Sequence, residues 1–337
     1  VYKRQNKYIV MVPIASIVIP VFNKGELLQT MINSILAQDY QDWELLLVDD
    51  GSDEKTLTLL QHIQKSDKRI RFFKRNRLPK GAQTCRNIGF EQAKGCYILF
   101  FDSDDYIAPY CLSQRICFME AHSELDFSIF PAATFQREYN DGTIRYGLPP
   151  KTKDDLLLFL LPHLPFVVWN NIYRSDSLRK YGIEWDERLK SLQDSDFNIQ
   201  SIMLGLKYDY ASSYEKVKPD YYYRVLADIS SISKCITDIS HFESHLYFYQ
   251  KNIDEVRTYC GKSYEYVLKN RSIFFFRKII VGGNDALPYL RRLEEIVQGF
   301  KGGNMLIIRF RFYAFLCRKY GIRNKLLDFC FFSVLFL

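Results

Sequence analysis

The chain has 337 residues, of which 47% are hydrophobic and 16% aromatic, and this composition excludes a disordered or low-complexity protein. Its net charge of +7 is uneven: residues 1–214 hold 26 basic and 27 acidic residues, whereas residues 215–337 hold 20 and 12. The positive excess therefore lies in the last third, which predicts an anionic partner for that part of the chain.

The cysteines and the apolar segments exclude two further classes of protein. Eight Cys residues without a CxxC pair exclude a disulfide framework and a zinc pattern, and they indicate reduced thiols in a cytosolic protein. No segment reaches about 18 uninterrupted apolar residues, so no membrane-spanning helix is expected. We interpret residues 1–14 as an N-terminal extension.

The first hundred residues contain four short runs that predict strands, three of them apolar and the third in chain order alternating between apolar and basic residues. These runs are SIVIPV at 16–21, WELLLVDD at 43–50, RIRFFKR at 69–75 and YILFFD at 97–102. Apolar residues at helical spacing lie between them. The alternation predicts right-handed βαβ units and an α/β fold, with a Rossmann-like, mainly parallel sheet flanked by helices.

Cap and turn residues predict where several elements end. Ser52 or Asp53 is predicted to cap the helix after the second strand. The segment 81–95 predicts a helix with Gly95 at its C-cap. Farther along, the tripeptide 140–142, Asn-Asp-Gly, predicts a hairpin between two alternating runs. Strand patterns fade from about residue 225, and we place a domain boundary near residue 230.

Carboxylates cluster at the ends of two of the predicted strands. Asp49 and Asp50 close the second strand, and Asp102, Asp104 and Asp105 follow the fourth. Open α/β sheets bind their ligands at the carboxyl ends of strands. Close carboxylates repel one another unless a cation lies among them, and Mg²⁺ or Mn²⁺ with a diphosphate would supply that cation. A single Asp at a strand end is more often a cap or a turn residue, so the pair of clusters carries this interpretation.

The familiar phosphate-binding loops are absent from the sequence. No GxGxxG follows the first strand, which argues against a dinucleotide fold, and no GxxxxGK[ST] supports a P-loop NTPase. We therefore expect the phosphates to be bound by a metal and by Lys or Arg. The segment RIRFFKRNR at 69–77 is basic and aromatic, but acidic residues balance its surroundings and we expect no nucleic-acid partner.

Six motifs follow one another between residue 15 and about residue 233. They are SIVIPVFNKGELL, LLLVDDGSDEKT, GAQTCRNIGFEQAKGCYILFFDSDD, VVWNNIYRSD, LQDSDFNIQ and YYYRVLADISSIS. In this order they resemble the inverting family 2 glycosyltransferases of the GT-A fold, of the type that builds bacterial surface polysaccharides. The resemblance implies a GT-A catalytic domain at 15–230, with a nucleotide-sugar half at 15–125 and an acceptor half at 126–230. Residues 231–337 would form a mainly helical C-terminal region.

The resemblance also implies a donor site at the strand ends. Pro20, Val21 and Phe22 would form the wall of the base pocket. Asp49, with Asp50 close by, would contact the uracil ring, and Arg86 would approach the base or the diphosphate. Asp102 and Ser103 would lie at the ribose side. In this DxD motif, Asp104 would bind Mn²⁺ or Mg²⁺ on the diphosphate. Asp105 is the third acid of this segment. It would either belong to the donor site or only cap the helix that begins near Pro109.

Two motifs of the second half are assigned to the acceptor side by the same resemblance. In LQDSDF, Asp194 is the expected catalytic base, Gln193 stands where the family commonly has Glu, and Asp196 is the alternative base. Trp169 and Asn170 in VVWNNIYRS would lie near the acceptor. The alternative for Trp169 is a buried residue that closes the core.

The implied reaction moves a sugar from a nucleotide-sugar donor, most directly a UDP-sugar, to a hydroxyl of a glycan or lipid-linked acceptor in cell-surface polysaccharide synthesis. Inverting transfer is a single displacement, and one carboxylate suffices as its base. One alternative is a sugar-nucleotide pyrophosphorylase. That class has a Gly-rich loop with Arg and Lys after the first strand, and the segment PVFNKGELLQ of this chain matches such a loop poorly. The other is a catalytically inactive glycan-binding or scaffold protein.

The C-terminal segment 304–337 interleaves basic residues with large apolar ones. An ordinary packed helix with solvated basic residues is one interpretation. The other is a helix that lies in the interface of an anionic membrane, held by apolar burial and by charge. We expect the second, which would make the protein cytoplasmic and peripheral at the inner face of the plasma membrane.

Overall fold

The computed structural model describes residues 13–136, 141–151, 154–160, 164–214, 216–225, 239–260, 276, 288–298 and 303–320. Several predictions fall outside these ranges: most of the extension at 1–14, Asn140 of the hairpin, the end of the sixth motif, the boundary near residue 230 and the tail beyond residue 320. The described residues divide into two compact units. One unit takes its residues from 1–149, 166–187 and 200–225, and the other from 150–165, 188–199 and 226–337.

A seven-stranded sheet is the centre of the first unit. Its strands are β1 (Ala15–Val21), β2 (Trp43–Asp49), β3 (Ile70–Lys74), β4 (Tyr97–Phe100), β6 (Phe127–Ile129), β9 (Asn171–Arg174) and β10 (Tyr208–Tyr210). They lie in the order β10-β6-β9-β4-β1-β2-β3. Strand β9 pairs antiparallel with β4 and β6, and the other described pairings are parallel. The mainly parallel sheet predicted from the sequence is therefore confirmed.

A second, four-stranded sheet in the same unit places residues 221–224 beside the acidic segment, which is residues 102–105. Its strands are β5 (Tyr106–Ile107), β7 (Ala132–Phe135), β8 (Ile144–Tyr146) and β11 (Tyr221–Arg224), in the order β5-β11-β7-β8. Strands β7 and β8 are antiparallel, as the hairpin prediction requires. Because β11 pairs with β5, residues 221–224 lie directly next to the end of the acidic segment.

Helices account for most of the remaining described chain. They are α1 (Glu26–Leu36), α2 (Glu54–Ser66), α3 (Ala82–Gln92), α4 (Cys111–Ala121), α5 (Asp155–Leu160), α6 (Ser175–Tyr181), α7 (Gln193–Met203), α8 (Ile239–Cys260), α9 (Pro288–Gln298) and α10 (Gly303–Tyr320). Short 3-10 turns lie at Val168–Asn170 and Ala211–Ser213. Within the described ranges, no helix combines the length and apolar character needed to span a membrane.

The core of the first unit explains why most residues of β1 and β2 are apolar. Every residue of β2 is buried, and every residue of β1 except Pro20 is buried as well. A parallel strand that is covered on both faces is built mostly from apolar residues. Helix α1 contributes Leu28, Met31 and Ile35 to the same core, at the spacing that puts them on one helix face.

The predicted helix ends are correct in one case and wrong in another. Asp53 caps α2, since its carboxylate accepts a hydrogen bond from Thr56 N at 2.8 Å. Helix α3, however, ends at Gln92, and Gly95 is not its cap. Gly95 instead lies against β1, where a Cβ would stand 2.5 Å from Ser16 N. The glycine is needed there for close backbone approach.

Candidate active site

The turn after β2 connects two of the predicted donor-binding segments. The Asp49 carboxylate ends the strand and accepts hydrogen bonds from Gly51 N and Ser52 N, each at 3.0 Å. Ser52 Oγ in turn accepts from Asn23 N at 3.1 Å, and Asn23 Oδ1 accepts from Asp53 N at 2.9 Å. These bonds hold the segment after β1 beside the DDGS turn. Asp49 itself is buried, and its contact with a uracil ring stays a prediction.

Asp50 anchors the loop that follows β3. Its Oδ1 accepts from Arg75 Nε at 2.7 Å and from Gly81 N at 3.1 Å, and Cys85 Sγ lies 3.8 Å away. Burial, reinforced by the Asp50 charge, raises the pKa of the Cys85 thiol to about 12. Asp50 is thus engaged in shaping the loop at 75–81, a role the sequence does not indicate.

Of the three residues predicted to wall the base pocket, Phe22 is the exposed one. Its side chain is 41% exposed, and Lys80 Nζ lies 3.5 Å from the ring centroid. Pro20 is half-buried within β1. Val21 is buried in the core of the first unit, and its place in the wall of the base pocket stays a prediction.

The three carboxylates after β4 each have a different partner. Asp102 Oδ1 accepts from Arg86 Nη2 at 2.6 Å, and Asp104 Oδ2 accepts from Lys24 Nζ at 2.6 Å. The Asp102 and Asp104 side chains are 31% and 23% exposed. Protein cations therefore offset the repulsion expected between these two carboxylates, and both carboxylates remain open to solvent. Ser103, between them, is buried.

The alternative in which Asp105 caps the helix that begins near Pro109 is wrong, because Tyr110 is the N-cap of α4. Asp105 is buried and accepts from the Tyr221 hydroxyl and, at 2.8 Å, from Arg224 N. Burial, followed by the charges of Asp104 and Asp102, raises the pKa of this carboxyl well above its usual range. Asp105 thus ties the acidic segment to β11. Arg224 Nε adds a bond of 2.8 Å to the Asp104 carbonyl.

Arg86 and the Trp-Asn motif lie within the packed interior. Arg86 is buried, and its guanidinium carbon is 4.4 Å from the Trp185 ring centroid. Trp169 is also buried and stacks on Tyr221, with ring centroids 4.6 Å apart. The Asn170 amide donates to Phe130 O at 2.7 Å. The structure therefore favours the alternative in which Trp169 closes the core, and Asn170 is a core residue as well.

The LQDSDF motif forms the first turns of α7. Asp194 lies in the first turn and is partly exposed. Asp196, the alternative base, is buried, and Lys251 Nζ lies 2.9 Å from its carboxylate. Gln193 Nε2 donates to Leu189 O at 3.1 Å, which fixes it to the preceding loop. Asp194 is therefore the more exposed of the two carboxylates, and its role as the base stays a prediction.

The donor set at the end of β4 fits a divalent metal that also binds a substrate phosphate. In the described part of the chain, no group of three or more His, Cys, Asp or Glu side chains could hold a metal by itself. Mg²⁺ and Mn²⁺, however, are commonly held by one or two carboxylates together with phosphate oxygens and water. Asp104, partly exposed and two residues from Asp102, could serve as one such carboxylate.

The sequence patterns do not indicate the residues that contact these acids. Lys24, Tyr221 and Arg224 all contact the acidic segment, although Lys24 is 80 residues from Asp104 and Tyr221 is 116 residues from Asp105. Lys24 lies inside the first motif, and Tyr221 and Arg224 lie inside the sixth. Membership in these motifs is the one sequence signal that could have identified the three residues.

Comparison of the fold with solved structures supports the sheet arrangement. S. aureus TarS 1-349, solved with UDP-GlcNAc, matches with a TM-score of 0.66 and 19% identity over 90% of this chain and 87% of that one. The mannosyltransferase PcManGT from Pyrobaculum calidifontis, solved with GDP-Man and Mn²⁺, matches with a TM-score of 0.51 and 13% identity, over 92% and 88%. At these identities the likeness concerns the fold, which is the GT-A fold.

Comparison of the sequence identifies the family. Residues 16–182 match the family model for glycosyl transferase family 2. The uncharacterized glycosyltransferase MJ1057 of Methanocaldococcus jannaschii is 32% identical over 203 residues, 58% of this chain and 67% of that protein. The GalNAc(5)-diNAcBac-PP-undecaprenol beta-1,3-glucosyltransferase of Campylobacter jejuni is 37% identical over 101 residues, 30% of this chain and 33% of that enzyme. The chain spans 56%, 42% and 33% of the first three curated relatives that it matches. It belongs to the family 2 glycosyltransferases.

Proposed function

We propose that this chain transfers a sugar from a UDP-sugar, with inversion, to a hydroxyl of a glycan or lipid-linked acceptor. The observation that carries the proposal is the position of Asp102 and Asp104 at the carboxyl end of β4, partly exposed and joined through Lys24 to the segment beside the DDGS turn. The fold shared with TarS, which was solved with UDP-GlcNAc, supports a UDP-sugar as the donor.

The donor would bind along the turns that follow β1, β2 and β4. The exposed ring of Phe22 offers an apolar surface to the base, and Lys80 above it adds a positive charge near an anionic ligand. Asp49 would meet the uracil ring, since a carboxylate that accepts two backbone N–H groups still has lone pairs to share. Asp102, held by Arg86, would face the ribose side.

Asp104 would hold Mn²⁺ or Mg²⁺ against the diphosphate of the donor. PcManGT, which shares the fold, was solved with GDP-Man and Mn²⁺, and this supports a divalent metal as the cofactor. When bound, a divalent metal offsets the charge that develops on a departing nucleoside diphosphate. The protein's own contribution is to orient the carboxylates, with Arg224 Nε holding the Asp104 carbonyl at 2.8 Å.

Asp194 would take the proton of the acceptor hydroxyl as that oxygen attacks the anomeric carbon. One base is sufficient, because inversion is a single displacement through a transition state with oxocarbenium character. Asp196 is the weaker candidate, since its charge is offset by Lys251 at 2.9 Å inside the protein. Asp194 occupies the first turn of α7 and is partly exposed.

The acceptor is proposed to be a precursor of a surface glycan at the cytoplasmic face of the plasma membrane. The Campylobacter relative, whose name gives an undecaprenol-linked acceptor, supports a lipid-linked saccharide. Helix α10 supports contact with an anionic membrane surface, because Met305 and Ile308 lie on one face and are 64% and 67% exposed. Arg309 lies next to this face, and apolar burial with added positive charge is the combination that binds anionic interfaces.

A donor screen tests the proposal. The full chain is incubated with Mn²⁺ and with UDP-, GDP- and dTDP-sugars, and the nucleotide released from each is measured. We expect UDP release to exceed that of the other nucleotides, and to be lost in Asp194→Asn. No release above the Asp194→Asn background from any donor would support the inactive glycan-binding protein instead. Membership in the glycosyltransferase family already argues against the pyrophosphorylase alternative.

A further inference from the structure

The ion pair between Lys24 and Asp104 lies where the proposed metal would bind. Lys24 Nζ is 2.6 Å from Asp104 Oδ2, and among the described residues it is the side-chain cation paired with that carboxylate. The other two acids of the cluster have partners of their own, Asp102 with Arg86 and Asp105 with Tyr221. Lys24 is therefore dedicated to the one carboxylate that is assigned to the metal.

The backbone holds Lys24 at this position. Its neighbour Asn23 is bonded on both sides to the DDGS turn, through Ser52 Oγ at 3.1 Å and Asp53 N at 2.9 Å. Asn23 has φ +51° and Gly25 has φ +47°, so Lys24 stands at the tip of a tight turn directly before α1. The lysine stem, in contrast, is flexible, and the side chain is 34% exposed. The ammonium group can therefore leave Asp104 without any change in the backbone.

An ammonium and a divalent cation compete for the same carboxylate. A metal bound to Asp104 would stand about 2 Å from a carboxylate oxygen. With Lys24 Nζ also 2.6 Å from that carboxylate, two cations would be held within a few ångströms of each other, which is unfavourable in a partly buried site. A diphosphate removes the conflict, because its oxygens accept both the metal and the displaced ammonium.

We propose that Lys24 is the resident counter-cation of Asp104 and that it couples metal binding to nucleotide binding. In the free enzyme, Lys24 holds Asp104 and opposes binding of the metal alone. When the metal arrives with a nucleoside diphosphate, the ammonium moves to the diphosphate and Asp104 is released to the metal. Metal and nucleotide then strengthen each other's binding, as a coupling free energy between two ligands requires. This inference rests on the proposed role of Asp104 as the metal ligand.

The test measures Mn²⁺ bound to the full chain by the loss of the free Mn²⁺ EPR signal, with and without UDP. Lys24→Met is compared with Lys24→Arg, which keeps the charge, and with Lys65→Met, which removes an exposed lysine from the last turn of α2. We expect Lys24→Met to bind Mn²⁺ alone at least tenfold more tightly than wild type. We expect its gain in Mn²⁺ affinity on addition of UDP to be smaller than in wild type, and both other variants to resemble wild type.

The outcomes separate this inference from the proposed function. Unchanged or weaker binding of Mn²⁺ alone by Lys24→Met would overturn the role of Lys24, as would an equal tightening in Lys65→Met. Asp104→Asn is the companion variant: if it binds Mn²⁺ with UDP as well as wild type does, the metal assignment itself fails. If Asp104→Asn loses that binding and Lys24→Met changes nothing, Asp104 remains the ligand and Lys24 alone is refuted.

Discussion

The Trp169 ring stacks on the Tyr221 ring with centroids 4.6 Å apart, and the Tyr221 hydroxyl donates to Asp105. These two contacts join the VVWNNIYRS segment to the acidic segment, although the two segments are far apart in sequence. Tyr223 continues the stack, with its centroid 5.9 Å from that of Trp169. The aromatic stack is therefore joined to the segment that carries Asp102 and Asp104 through the bond from Tyr221 to Asp105.

Tyr221→Phe should destabilise the protein by leaving the buried Asp105 without one of its donors. Loss of a partner from a buried polar group costs about 1–3 kcal/mol of unfolding free energy. Urea denaturation monitored by circular dichroism measures this change in the free energy of unfolding. Tyr223→Phe, which removes a hydroxyl from the neighbouring ring of the stack, is the control and should cost less. Equal losses in the two variants would contradict the importance of the Tyr221–Asp105 bond.

Arg115 and Asp220 form a fully buried ion pair that positions the same stack. Arg115 donates to both oxygens of Asp220, at 2.9 and 2.6 Å, and to Trp169 O at 3.0 Å. Arg115→Met should lower the unfolding free energy by about 3–5 kcal/mol, because it strands a buried carboxylate. Arg115→Met combined with Asp220→Leu should be more stable than Arg115→Met alone. A double variant that is no more stable than the single one would show that the pair is not the source of the loss.

Cys85 should be inert to alkylation in the folded protein. Its pKa is raised to about 12 by burial and by the Asp50 charge, so at pH 8 only about one thiol in ten thousand is the reactive thiolate. Cys96 and Cys117 are exposed and serve as internal controls. Mass spectrometry after iodoacetamide treatment at pH 8 should find these two modified and Cys85 unmodified until the protein unfolds. Modification of Cys85 at the rate of Cys96 would contradict its described environment.

The exposed face of α10 should govern binding to anionic vesicles. Met305→Glu with Ile308→Glu places two negative charges on that face and should reduce co-sedimentation with phosphatidylglycerol vesicles at least fivefold. Leu204→Glu, which adds an acid at an apolar site that is 41% exposed outside α10, is the control and should bind as wild type. Wild-type binding that is absent, or equal in all three proteins, would remove the membrane assignment.

The sequence predicts the catalytic scaffold well and the connections between its motifs poorly. The largely apolar runs of β1, β2 and β4 identify a parallel sheet, because strands covered on both faces are built mostly from apolar residues. The strand ends then place Asp49 and Asp102 at one edge. No local pattern indicates that Lys24 meets Asp104, since that contact arises only where β4 returns beside β1.

The errors have the same origin. Asp105 is close in sequence to a helix start, which suggests a cap, but its partner Tyr221 is delivered by β11 from 116 residues away. Gly95 stands where a helix could end, and yet it is required by the backbone of β1 across the sheet. In both cases a long-range contact decides a role that local sequence assigns to a nearby element.

The most direct test of the account is UDP-sugar turnover by Asp194→Asn, measured together with its affinity for UDP. Turnover is followed by UDP release with Mn²⁺ and an acceptor saccharide, and UDP binding by calorimetry. We predict that Asp194→Asn loses at least a hundredfold in turnover, as removal of a general base does, while its affinity for UDP stays within twofold of wild type. Unimpaired turnover in Asp194→Asn would contradict the assignment of this carboxylate as the base.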